Sequence, residues 1–159
     1  MDAQTIKDVD ETVLNLFGTM FFVALIPEDE IPAKEEWNHE TVFIEGAIDI
    51  ASNSEVLPIR LYFPPKLAKE ITINFLGIED DEFDDEKMLD SIKEATNMTV
   101  GGLLGRIDPK ARCSIGIPEA RKIENFSPDR LSSNGLRIYR ADSDFLWLTG
   151  TNFKVCDSR

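Results

Sequence analysis

Residues 85–106 read DEKMLDSIKEATNMTVGGLLGR, the longer of two long segments with helical periodicity. On a wheel of about 100° per residue this segment separates into two faces. The face predicted to pack on the core comprises Met88, Leu89, Ile92, Ala95, Thr96, Thr99 and Leu103. The opposite face comprises Asp90, Glu94, Asn97, Gly101 and Gly105. Each of these five lies three or four residues from the next, so they are neighbours on one surface.

Two glycines interrupt the polar face of this predicted helix. A glycine in a helix interior costs ~1 kcal/mol relative to alanine, and asparagine is also a poor helix former. A solvated face gains nothing from Gly101 and Gly105, whereas a bare surface beside Asn97 lets another backbone approach closely. The alternative is an ordinary solvated face that tolerates its glycines, as the outer face of an amphipathic helix usually does.

Periodicity along the rest of the chain predicts an α+β fold. Spacings of three and four residues indicate a helix over 4–22, and a shorter helix is predicted over 65–76. Alternation with a period of two predicts strands at 42–50, 57–63, 112–117, 136–140 and 145–153. We therefore expect a single domain over 1–159, with two long helices packed on a mostly antiparallel sheet. The succession of helix and strands occurs twice, which indicates a weak internal repeat.

The composition excludes several functional classes. The chain has 159 residues with 17 basic and 30 acidic side chains, a formal net charge of −13. Nucleic acids and anionic membranes require clustered Lys and Arg, so neither is expected as a partner. The single histidine, His39, excludes a multi-histidine metal site and disfavours a Ser-His-Asp triad. The most apolar run, 17–26, is too short for a membrane span of roughly 20 residues, and the acidic N-terminus is unlike a signal peptide.

The two cysteines bear on the cellular compartment. Cys113 and Cys156 are too few for a disulfide framework and do not have the spacing of metal ligands. We therefore expect a cytoplasmic protein with reduced thiols and no metal site of its own.

The acidic segment 79–86 has two interpretations. As a calcium loop it lacks the central glycine and the spaced ligands of an EF-hand. The favoured interpretation is that these acids precede a helix, where they satisfy its N-terminal amides and its macrodipole.

An ordered set of residues resembles a known signature. Asp90-x-x-x-Glu94-x-x-Asn97-Met98, followed by Gly101 and later by Pro118, is similar to the motif of the CheC/CheX/FliY phosphatases of bacterial chemotaxis, and most similar to CheX-type members. The resemblance covers roughly 40–118. The sequence FPPKLA at 63–68 resembles the strand-to-helix junction of that family, so a CheC-like pseudo-repeat is the implied fold.

Two positions depart from the family pattern. Members often have Asn after the glycine, where this chain has Gly102. CheC-type members repeat the motif on the first helix, where this chain has Asp8-x-x-x-Thr12-x-x-Asn15 and Thr12 replaces the expected Glu. CheX-type members have a single site, so we interpret Asn15 as structural or vestigial.

The resemblance implies a phosphatase that acts on a response regulator such as phosphorylated CheY. The phospho-aspartate, its Mg²⁺ and a Lys all belong to the partner, so no cofactor is expected in this chain. By resemblance, Asn97 orients the attacking water and Glu94 pairs with the partner's Lys. Asp90, Gly101 and Pro118 are assigned to docking.

Two further expectations follow from the family. The first is a homodimer, in which strands near 41–50 or 136–140 pair between subunits. The second is an alternative function, since relatives of this fold also act as adaptors or flagellar-switch components. A non-catalytic module that binds a response regulator would keep Glu94 and Asn97 as docking residues.

Overall fold

The computed structural model of the chain describes residues 1–37, 41–131, 133, 135–153 and 156. The helices are α1 (Ala3–Met20), α2 (Lys34–Trp37), α3 (Pro65–Leu76) and α4 (Asp85–Ile107). The strands are β1 (Ile26–Glu28), β2 (Phe43–Ala51), β3 (Val56–Phe63), β4 (Ser114–Ile115), β5 (Glu119–Ile123), β6 (Arg137–Ala141) and β7 (Asp144–Thr149). Two long helices and a sheet confirm the predicted α+β class. Among the described residues, no helix combines the length and the apolar character needed to cross a bilayer.

The strands form one antiparallel sheet in the order β1-β6-β7-β3-β2, and the far side of β2 pairs with both β4 and β5. The strands predicted over 42–50 and 57–63 are confirmed as β2 and β3, which form an antiparallel hairpin with Ile44 opposite Phe63 and Ala51 opposite Val56. The predicted dimer edges are wrong, because β2 and β6 each have strands on both sides. Within the described residues, the two edges of the sheet are instead β1 on one side and β4 with β5, both paired to β2, on the other.

Helices α1, α3 and α4 cover one face of the sheet. The main apolar cluster joins Ile48 and Ile50 of β2 to Phe17 of α1 and Ile92 of α4, all of them buried. Helix and sheet approach closely at Gly46, where a Cβ atom would lie 2.0 Å from Oγ1 of Thr96. Glycine at this strand position therefore allows α4 to sit directly on β2.

An ion pair fastens α1 to the sheet. The carboxylate of Asp10 accepts hydrogen bonds from Nε of Arg137 at 2.9 Å and from Nη2 at 2.7 Å. The hydroxyl of Tyr139 donates to the same carboxylate at 2.8 Å. Arg137 and Tyr139 are both buried, so this cluster satisfies the polar atoms that β6 places beneath α1.

A second apolar cluster lies on the other face of the sheet. It comprises Phe43, Phe126, Ile138, Phe145 and Trp147. Phe126 stacks on Phe43 with ring centroids 4.1 Å apart, and Trp37 of α2 packs against it edge-on. This face is therefore covered by the short helix α2 and by the segment around Phe126.

The last third of the chain differs from the expectation. The strand predicted over 112–117 is limited to β4, and Ile117 is 86% exposed. The chain then continues in the same direction along β2 as β5, which the sequence did not indicate, and Ala120 pairs with Gly46. The final strand, predicted to reach 153, ends at Thr149 because the backbone turns at Gly150, where φ is 85°.

Candidate functional site

Capping of α4 fixes where the helix starts. The side chain of Asp84 accepts a hydrogen bond from the backbone N–H of Lys87 at 2.8 Å, and Nζ of Lys87 lies 2.8 Å from the same carboxylate. The hydrogen bonds from the side chain and backbone of Lys87 lower the pKa of Asp84. The favoured interpretation of the acidic segment agrees with this geometry, since Asp84 is the N-cap and Glu79 and Glu82 cap a 3₁₀ turn reciprocally.

The packing of α4 determines which residues remain outside. Its buried residues are Met88, Ser91, Ile92, Ala95, Thr96, Thr99, Val100 and Leu103. They confirm the predicted core face, with Leu89 half-buried at its margin. Glu94 is exposed and Asn97 is half-buried on the opposite face. The sequence-predicted pair is therefore presented at the surface, one helical turn apart.

Glu94 and Asn97 have free side chains. Neither makes a hydrogen bond or an ion pair with any other residue in the described part of the chain. Asp90, one turn earlier, is 3.8 Å from Nζ of Lys93 and stays largely exposed. The structure thus brings Asp90, Glu94 and Asn97 together on one face and leaves the last two available to a partner.

The glycines of α4 fall into two kinds. A Cβ atom built on Gly101 or Gly105 would meet no atom within 4 Å, so the surface beyond Asn97 is bare, as the sequence predicts. A Cβ atom on Gly102 would lie 3.3 Å from Cγ2 of Thr12 on α1. Gly102, where the family often has Asn, therefore belongs to the contact between the two long helices.

The first helix carries no equivalent free pair. The hydroxyl of Thr12 donates to the backbone carbonyl of Asp8 at 2.7 Å, and its methyl group faces Gly102. Nη2 of Arg106 lies 2.9 Å from Asp8 and 2.6 Å from Glu11, so α1 and α4 run antiparallel. The hydrogen bond to Glu11 raises the pKa of Arg106. Thr12 serves helix packing, in agreement with a single site on α4.

Pro118 lies off the helix. It is half-buried in the link between β4 and β5. A pocket of about 450 Å³ lies beside β5, and its lining includes Glu119 and Arg121 of β5 and Lys93 of α4. The structure therefore places Pro118 at the start of the strand that flanks α4, whereas the other four predicted residues lie on α4 itself.

The two cysteines are not free thiols. Cys113 and Cys156 form a disulfide with Cα atoms 5.7 Å apart, so the prediction of reduced thiols is wrong for this structure. Among the described residues, the one group of acids and cysteines spaced like metal ligands consists of these two and Asp108. Sulfurs joined in a disulfide are not the thiolates that bind metals.

Sequence comparison assigns the family. Residues 44–139 match the family model described as chemotaxis phosphatase CheX. The chain belongs to the CheX family. The matched span contains all five predicted site residues, from Asp90 to Pro118. Among curated protein sequences, no match is found.

Solved structures of CheX and CheC-like proteins share the fold. A CheC-like protein from Shewanella sp. PV-4 has a TM-score of 0.71 at 20% identity, covering 93% of this chain and 96% of the other. CheX from Vibrio vulnificus has a TM-score of 0.71 at 18% identity, covering 92% and 94%. A chain of the CheX-CheY-BeF₃-Mg²⁺ complex from Borrelia burgdorferi has a TM-score of 0.60 at 15% identity, covering 90% and 94%.

Proposed function

We propose that this CheX-family protein is a phosphatase of a CheY-type response regulator. The observation that carries the proposal is the pair of free polar side chains, Glu94 and Asn97, on the exposed face of α4. An amide and a carboxylate that have no partner among the described residues are available to groups on another molecule. The bare surface at Gly101 leaves room for the backbone of that molecule.

The proposed reaction is hydrolysis of an acyl phosphate. Asn97 enters the active site of the regulator and holds a water molecule in line with the phosphorus–oxygen bond. Attack by the water oxygen breaks that bond, so inorganic phosphate is released and the regulator's aspartate regains its carboxylate. Glu94 pairs with a Lys of the regulator and thereby fixes the position of Asn97. Mg²⁺ belongs to the regulator, and this chain supplies no cofactor.

Two observations support the choice of partner. The family is that of the CheX chemotaxis phosphatases, and one structural relative is crystallised with CheY, BeF₃ and Mg²⁺. Asp90 and Pro118 are assigned to docking in this proposal, Asp90 on the exposed face of α4 and Pro118 in the link between β4 and β5. Response regulators act in the cytoplasm, which is where we place the protein. We also treat residues 1–159 as one CheX-like domain that forms a homodimer.

The decisive experiment follows the decay of acyl-phosphorylated CheY-type regulators from the same genome. Wild-type protein should accelerate the decay, and Asn97→Ala should reduce the acceleration by at least about 100-fold, because a misplaced water loses the in-line geometry. Glu94→Gln should raise KM by weakening the pairing with Lys. The free energy of unfolding should change by less than about 0.5 kcal/mol in both variants, since both side chains are unpaired at the surface.

Asn15→Ala is the matched control, because Asn15 is an exposed asparagine on the other long helix. Its activity should equal that of the wild type. Wild-type rates in Asn97→Ala would refute the mechanism. Binding of a phosphorylated regulator without faster decay would favour the adaptor alternative.

A further inference from the structure

The disulfide between Cys113 and Cys156 joins the end of α4 to the end of the described chain. The bond spans 43 residues and encloses strands β4 to β7. Cys156 follows Phe153, whose backbone carbonyl accepts its N–H at 2.9 Å, and both side chains are buried. The bond therefore fastens the last part of the chain to the loop that leaves α4.

A hydrogen bond from its backbone to Asp108 positions Cys113 near Cys156. Asp108 is the C-cap of α4, and its buried carboxylate accepts the backbone N–H of Cys113 at 2.8 Å. The carboxylate oxygen and the two sulfurs lie within 4.8 Å of one another. Cys113 is thus held in place by the end of the helix and does not depend on the disulfide alone for its position.

The two cysteines differ in exposure. Cys156 is 3% exposed, whereas Cys113 is only half-buried. An oxidant in solution therefore reaches Cys113 first, and Cys156 can react only with the neighbouring sulfur. This is the arrangement of an attacking and a resolving cysteine.

We propose that Cys113 and Cys156 are a reversible thiol-oxidation site that exchanges with small-molecule disulfides of the glutathione type. Reversibility in the cell rests on the proposed function, which places the protein in the cytoplasm. A cytoplasmic protein meets a reducing thiol pool in which disulfides are transient. Oxidation adds a covalent link between the loop that follows α4 and the segment that contains Cys156, and reduction removes that link.

The exchange balances in two steps. The thiolate of Cys113 attacks one sulfur of glutathione disulfide, and one glutathione leaves as a thiolate. The thiolate of Cys156 then attacks Sγ of Cys113, and the second glutathione leaves. The two protein thiols lose two electrons and two protons, and glutathione disulfide is reduced to two glutathione molecules.

Intact-mass measurement after exposure of reduced protein to glutathione disulfide tests the proposal. Wild-type protein should lose two hydrogens and retain no glutathione, and excess reduced glutathione should restore the dithiol. Cys156→Ser should accumulate one bound glutathione, because the resolving thiol is absent. Cys113→Ser should remain unmodified over the same time, because its remaining cysteine is buried. Acid quenching of wild-type protein at early times should trap the same Cys113 adduct, which keeps the test open if a variant does not fold.

Three results would overturn the proposal: a wild-type protein that stays a dithiol, a disulfide that reduced glutathione does not reopen, or equal glutathione uptake in the two variants. Oxidation should also raise the midpoint of thermal unfolding by roughly 5–15 °C in wild-type protein and not in either serine variant, because it closes a long loop. None of these measurements uses a response regulator, so failure of the proposed phosphatase activity would appear separately.

Discussion

Tyr139 is a buried tyrosine whose hydroxyl joins β6 to α1. Its hydroxyl is buried beneath α1 and donates to Asp10 at 2.8 Å. Burial, and then the charge and hydrogen bond of Asp10, raise the pKa of Tyr139. Burial and Glu45 raise the pKa of Tyr62, the other tyrosine of the chain, to about 12. The folded protein therefore holds both phenolic protons more tightly than the unfolded chain does.

This difference predicts a loss of stability at alkaline pH. The pKa of Tyr139 is higher in the folded protein than in the unfolded chain, where it is about 10. The stabilisation that comes from this difference is therefore complete below pH 10, and it is lost as pH rises through the folded-state pKa. Tyr139→Phe should make the decline above pH 10 shallower, as measured by denaturant titrations at several pH values. At neutral pH the same variant should lose about 1.5–3 kcal/mol, the value of a hydrogen bond to a charged acceptor.

Tyr62→Phe is the comparison for this prediction. Tyr62 is only half-buried on the opposite face of the sheet, so its removal should change the alkaline decline less. An unchanged slope in Tyr139→Phe would show that other groups cause the alkaline loss.

At the scale of elements, substitutions on the outer surface of α4 should change stability and activity in different ways. Gly101 and Gly105 both have open space where a Cβ atom would be, so alanine at either position should stabilise the helix by up to ~1 kcal/mol. Gly101 is one turn from Asn97 and Gly105 is two turns away. Gly101→Ala should therefore lower kcat/KM for the phosphorylated regulator by roughly tenfold, which corresponds to about 1.4 kcal/mol.

Gly105→Ala provides the control, since it should stabilise the protein equally and leave kcat/KM unchanged. Thermal unfolding and regulator dephosphorylation, measured on both variants, give the comparison. Full activity in Gly101→Ala would mean that the partner does not approach the helix at this turn.

The contact between β2 and α4 sets the position of Asn97. Gly46→Ala would bring a methyl group to 2.0 Å from Oγ1 of Thr96, the residue that precedes Asn97. Such overpacking costs about 1–3 kcal/mol and pushes the helix outward, so activity should fall together with stability. Gly46→Ala combined with Thr96→Ala should recover part of the lost stability and part of the lost activity, because Oγ1 of Thr96, the atom nearest to the added methyl group, is removed. Denaturant unfolding of the double-mutant cycle measures this coupling, and strictly additive losses would contradict it.

Particular elements show how far the sequence leads. Both faces of α4 could be predicted, because a helix with one side on the sheet and the other exposed keeps a clear period of 3.6. β5 could not, since Lys122 and Arg121 obscure the alternation that its pairing with β2 imposes. Ile117 has the spacing of a core residue and yet lies outside, because burial depends on the tertiary position of the strand. The role of Gly46 in the contact with α4 became visible only in the structure. The sequence did offer a signal, since a glycine within a predicted strand often marks a close approach of another element.

At the scale of the whole molecule, the sheet has two exposed ends that differ chemically. β1 has only three residues, includes Pro27, and is followed by acidic residues, all of which oppose pairing with another strand. The β4–β5 end exposes Ile115 at 40% and Ile117 at 86%. Exposed isoleucines at a sheet edge favour contact with a second copy of the chain, so we place the proposed dimer interface at β4–β5.

Replacing one exposed isoleucine by lysine at each edge of the sheet tests this placement. Ile117→Lys should shift the protein from dimer to monomer, because the interface would have to bury two ammonium groups related by the twofold axis. Ile26→Lys on β1, where Ile26 is 60% exposed, should leave the dimer intact. Sedimentation equilibrium over a range of concentrations gives the molar mass of each variant, and far-UV circular dichroism checks that each is folded. A monomeric wild type would remove the dimer from the proposal, whereas dissociation by Ile26→Lys alone would move the interface to β1.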